Sequence, residues 1–207
     1  MPPARGRARV RQVPPSVYHV RKVSLGFKRK YRISADDGAG KPGPSIGYAE
    51  KRLRAADEFD LYRDEQRTAK LVTVRESRQG WLASLAGYEA FDPGGRLLGS
   101  FGVLLARSLE RTTWQFDQPG LGRLTGTERS VTAARGRRLL ALGGEAGEIA
   151  AALVRYHFDF ERDGQRAFSI DKPKVLDDWY RLTVHDDAVA RPLLFALAVT
   201  MEARQHR

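Results

Sequence analysis

The stretch Asp186 to Glu202, DDAVARPLLFALAVTME, constrains this chain more than any other. Between Pro192 and Met201 no side chain carries a charge, so a helix here has no face suited to water. Asp186 and Asp187 stand where an N-cap is expected, Pro192 fits a first turn or a slight kink, and Arg204, His206 and Arg207 place positive charge at the far end. A helix apolar all round is either a core helix or a membrane span, and a span needs roughly 20 apolar residues. This run is about half that length. The expectation is a helix over 187–203, enclosed by the rest of the protein.

What encloses it is written as hairpins. Five times an aromatic or aliphatic alternation runs into a turn containing Asp and, in most cases, Gly: Tyr31 to Gly38, Phe59 to Glu65, Tyr88 to Gly95, Trp114 to Gly120 and Tyr156 to Gly164. Asp supplies a side-chain cap and Gly the positive φ of a tight turn, so each unit reads as strand, turn, strand. Five units give about ten strands with no helices between them, the pattern of an antiparallel meander. A sandwich would bury one face of the terminal helix; a closed barrel buries all of them. The segment Gly136 to Val154 breaks the pattern and is expected to be a loop with a helical turn.

The 207 residues suit one substantial domain, read as a mobile basic arm over 1–16 and a barrel over 17–207. With no cysteine there is no disulfide, thiolate metal site or cysteine nucleophile. No apolar stretch follows the basic start, so a secretory signal is not expected and a cytoplasmic location is. The net charge of +11 is uneven: residues 1–35 hold ten Lys or Arg and no acid, and the remainder is close to neutral.

Four segments in order resemble a known family: Tyr88 to Gly99 (YEAFDPGGRLLG), Ser108 to Phe116 (SLERTTWQF), Tyr156 to Phe160 with Asp163-Gly164, and Tyr180 to Val184 leading into the terminal helix. Together with the hairpin Val23 to Gly38 they are similar to the tubby C-terminal-like superfamily, whose bacterial members resemble the plant LURP-one-related proteins and the phospholipid scramblases. The resemblance covers roughly residues 17–203. It implies a closed barrel of about twelve strands wrapped around a hydrophobic C-terminal helix. For function it implies phosphoinositide head groups, as in tubby-like domains, or action at a membrane, as in scramblases. Scramblase-like calcium binding asks for clustered acids in one loop; Asp186-Asp187 offers two, and capping explains them.

Other motifs point to no reaction. Gly43-Pro44-Ser45-Ile46-Gly47 matches the nucleophile-elbow pattern, but that motif needs a strand before the serine and a helix after it; here a hairpin loop is expected. His19, His157, His185 and His206 lack metal-ligand spacing, and Asp36, Asp37, Asp64, Asp92 and Asp163 sit where turn caps are needed. No catalytic residue, cofactor or metal is therefore expected, and the chain is read as a non-enzymatic module.

The basic N-terminal hairpin stands above background. If Phe27 to Ile33 is a strand, Phe27, Arg29, Tyr31 and Ile33 share one face, and Lys28, Lys30 and Arg32 form a positive stripe on the other. Arg21, Lys22, Lys51, Arg52 and Arg54 widen it if register brings them near. Such a stripe suits anionic phospholipid, with nucleic acid held through the arm as an alternative. A further alternative is a charged sheet edge that discourages aggregation, in a barrel whose role is structural or protein-binding. Aromatic stacking beside these cations is not expected, because Phe27 and Tyr31 point to the core.

Overall fold

The computed structural model describes residues 16–24, 29–51, 58–77, 84–104, 112–129, 157–172 and 179–205. Its strands are β1 (Ser16–Lys22), β2 (Lys30–Asp36), β3 (Pro42–Lys51), β4 (Phe59–Tyr62), β5 (Lys70–Ser77) and β6 (Ser84–Phe91) in the first half. The second half adds β7 (Leu97–Leu104), β8 (Thr113–Gln118), β9 (Gly122–Glu128), β10 (His157–Arg162), β11 (Gln165–Asp171) and β12 (Trp179–Val184), followed by helix α1 (Arg191–Gln205). Each strand pairs antiparallel with its sequence neighbour, and β1 pairs with β12 from Ser16 opposite Val184 to Arg21 opposite Trp179. The barrel is closed, so the charged-edge reading lapses: β1 and β2 have partners on both sides.

The five hairpin turns all lie at one rim. There Asp36 accepts from the amides of Gly38 and Gly40, Asp37 from Ala39 and Lys41, Asp64 from Thr68 and Asp92 from Arg96. These amide bonds help hold the carboxyls of Asp37, Asp64 and Asp92 below the usual carboxylate range, led at Asp37 by Lys41, at Asp64 by the Thr68 hydroxyl and at Asp92 by Arg96. Asp163 and Gly164 both take positive φ in the β10–β11 turn. The connections at the opposite rim lie largely outside the described residues, as do the arm and the segment Gly136 to Val154.

Helix α1 fills the barrel. From Leu193 to Ala203 no residue exposes more than the 7% of Phe195, over three turns of helix and therefore on every face. Phe195 packs edge-on to Tyr18 of β1, while Leu193 lies against Gly99 of β7. At the far end Arg29 donates to the carbonyl of Ala203 and Arg204 to the hydroxyl of Tyr88, which places cations on the negative end of the helix dipole. Among the described residues no helix is long and apolar enough to cross a membrane.

Two boundaries differ from the sequence expectation. The helix starts at Arg191, not 187, because its cap comes from another strand: Gln118 of β8 accepts from the amide of Ala190 and donates to the carbonyl of Ala188. Asp186 instead caps the preceding turn through Ala188, and Asp187 pairs with Arg191. Pro192 lies in the first turn, where its missing N–H has no bond to lose. Strand β2 begins at Lys30 rather than Phe27.

Candidate anion-binding face

Alternation on β1 and β2 sends Val20, Tyr31 and Ile33 to the core and leaves Arg21, Lys30 and Arg32 outside. Register then makes Arg21 directly opposite Arg32. Directly paired residues share a face with Cβ atoms about 5 Å apart, and like charges so placed repel. Lys30 is the diagonal neighbour of Arg21. Of the predicted stripe, therefore, Arg21, Lys30 and Arg32 come together on the wall. Lys22 is paired with Tyr31 and shares its inward phase at the rim, so it leaves the stripe. Lys28, Arg52 and Arg54 lie outside the described residues.

Several other cations of the outer wall are paired with acids, while Arg75, exposed on β5, lies over the Phe91 ring at 5.3 Å. Arg67 engages Glu50, which stands across from Lys30, and Lys70 engages Asp60 at 3.0 Å. Arg32 reaches Glu65 at 3.2 Å with both groups about half exposed, a contact worth little and easily exchanged. Among the described residues Arg21 and Lys30 have no acidic partner within ion-pair distance. The patch of Arg21, Lys30, Arg32 and Glu65 keeps two uncompensated positive charges.

The same register builds a lateral row that no local pattern reveals. Trp179 is opposite Arg21, Arg21 opposite Arg32, Arg32 opposite Tyr48, and Tyr48 opposite Tyr62, with Lys70 next on β5. Trp179 and Tyr62 are half-buried, whereas Tyr48 is covered. The Arg181 guanidinium lies 6.0 Å from the Trp179 ring and the Lys70 ammonium 5.8 Å from that of Tyr62.

Two histidines that looked ordinary in sequence hold outer-wall carboxylates. His19, buried although its phase is outward, binds Asp36 through Nε2 at 2.7 Å and packs on Trp179. That bond leads the causes that lower Asp36. Beside it Arg181 donates to the carbonyl of Gly40, so the β2–β3 turn is strapped to β12. His157 binds Asp171 through Nδ1 at 2.7 Å, next to Arg129, which donates to both oxygens of Asp159 at 2.7 and 2.8 Å. Burial works to raise Asp159, but Arg129 and Arg166 hold it below the usual range. Register decides these contacts, so no spacing in the sequence could have found them. Each is a closed hydrogen-bonded contact on the wall and serves to fix neighbouring strands.

Ser45 is not in a loop: Gly43 to Gly47 lies within β3, and the serine hydroxyl faces the carbonyl of Ile33 at 3.5 Å. With strand continuing to Lys51, the helix that a nucleophile elbow needs is missing. An open cleft of about 340 Å³ at the hairpin-turn rim is lined by Arg162, Gln165, Arg166, Ala167, His185, Asp186 and Asp187. Its charged groups are engaged already: Arg162 with the carbonyl of Leu121, Arg166 with Asp159, Asp187 with Arg191. Among the described residues no cluster of metal-ligating side chains forms. No protein-family model and no curated protein matches the chain.

Proposed function

We propose that this chain is a non-enzymatic binding module that contacts anionic phosphates, foremost phospholipid head groups at the cytoplasmic face of a membrane. The observation that carries the reading is the Arg21–Arg32 cross-strand pair, flanked by Lys30, on the outside of a closed barrel. Two like charges held face to face destabilise the sheet, and a bound phosphate relieves that repulsion. The filled interior directs binding to the wall and rims. The resemblance to the tubby C-terminal-like superfamily favours head groups as the ligand class.

Each Lys or Arg near an anionic bilayer contributes about 1 kcal/mol, so losing two weakens partitioning by at least about thirtyfold. Sedimentation with phosphatidylcholine vesicles, with and without phosphatidylserine, tests this. Wild type is expected to pellet only with the anionic vesicles, and Arg21→Glu with Arg32→Glu to stay in the supernatant. Equal pelleting of the double variant would remove Arg21 and Arg32 from the contact.

A further inference from the structure

We infer that the row from Trp179 through Arg21 and Arg32 to Tyr62, which passes over the covered Tyr48, is a docking surface for a short single strand of nucleic acid, lying across the strands of β12, β1, β2, β3 and β4. Neighbouring strands are about 4.8 Å apart, so the row from Trp179 to Tyr62 covers roughly 19 Å. Its accessible order is aromatic, cation, cation, then Tyr62 past the covered Tyr48, with Lys70 beyond. Surfaces that hold single strands combine cations along the backbone with aromatic rings on which bases stack, and this wall supplies both in one line.

The aromatic residues argue for bases in addition to phosphates. Half-exposed Trp and Tyr also suit a membrane interface, so what favours bases is the placing of both rings in one line with the cations, as a strand of stacked bases requires. The Trp179 ring is held in place. His19 packs against Trp179 with ring centroids 5.0 Å apart, and His19 is fixed in turn by Asp36. The Arg181 and Lys70 cations near the two rings add stacking and charge to the same line. The closed barrel gives a strand of nucleic acid a curved wall with no competing sheet edge. Glu50 is occupied by Arg67, which is outside the row, whereas a phosphate on Arg32 or Lys70 has to displace Glu65 or Asp60, leaving Arg21 as the row's unpaired cation.

This inference shares Arg21 and Arg32 with the phosphate reading and rests on it; the bases are what it adds. The test compares two labelled probes with the full chain by fluorescence anisotropy: oligothymidylate of about twelve nucleotides, a length within the reach of one small barrel, and an abasic oligomer with the same number of phosphates. The thymidylate is expected to bind at least about fivefold more tightly. Trp179→Ala should shrink that preference, because thymidylate binding falls more than abasic binding, while Trp179→Phe retains it. Equal affinity for the two probes, or a Trp179→Ala variant that weakens both alike, overturns the docking surface. If thymidylate does not bind but anionic vesicles pellet the protein in an Arg21- and Arg32-dependent way, this inference falls and the head-group reading stands. If neither probe nor vesicle binds, both fall.

Discussion

Gly99 shows how little room the filled barrel leaves. A Cβ built there would collide with the carbonyl oxygen of Asp117 and with a methyl of Leu193, at a φ of +156°. The first contact is backbone and cannot rotate away. Gly99→Ala is therefore expected to cost about 3 kcal/mol, the upper end of overpacking, and to lower the melting temperature by roughly 6–12 °C. Gly120→Ala, with open space around it, carries only the strain of its positive φ and should cost less. Circular dichroism melts of the two variants separate these costs. Five aspartates, four at the turns and Asp159 within β10, give a pH signature. Asp36, Asp37, Asp64, Asp92 and Asp159 all sit below 3.8 in the folded chain, so their contribution is present above that value and is lost as pH falls through their folded values. Burial raises Tyr31 and Tyr88 above 10.0, so their contribution is lost as pH climbs past that value. The melting temperature should hold from neutral pH to about 5 and drop below about 4. A drop already under way between pH 6 and 5 would show that other groups dominate.

At the scale of elements, the helix and the hairpins were legible for different reasons. The uncharged run Pro192 to Met201 announces burial without reference to any other segment, and the Asp and Gly of the turns act within a few residues of their own position. The helix start was misplaced because its cap is not local: Gln118 reaches it from β8, about 70 residues earlier in the chain. The same structure yields a prediction that separates the two candidate caps. Gln118→Ala strips partners from the amide of Ala190 and the carbonyl of Ala188 and should cost about 2 kcal/mol. Asp187→Ala removes an exposed ion pair with Arg191 and should cost under about 0.5 kcal/mol. Urea unfolding of both variants decides between them; a larger loss at Asp187 would restore it as the cap.

At the scale of the whole molecule, register is what the sequence withheld. Alternation on β2 does place Lys30 and Arg32 outside, but only the pairing with β1 sets Arg21 opposite Arg32, and only the pairing with β12 adds Trp179 to the row. The discounting of aromatic residues held for Tyr31, which is in the core, and missed those that neighbour the cations across strands. The histidine–aspartate pairs were hidden for the same reason. The Arg21–Arg32 pair, its Trp179 neighbour and the His19–Asp36 bond depend on β1, the strand that closes the barrel by joining β2 to β12, whereas His157–Asp171 links β10 to β11. Pairing starts at Ser16, so removal of residues 1–15 takes away no described ladder bond, and the melting temperature is expected to stay within about 2 °C of the full chain. Removal of residues 1–22 also deletes Tyr18 from the face of Phe195, and it leaves β2 and β12 as open edges beside an exposed apolar helix. That shorter chain should lose its cooperative melt and aggregate, as followed by light scattering during heating. A cooperative, monomeric 23–207 fragment would show that the barrel does not need its first strand, and would undo the account of how the helix is kept from water.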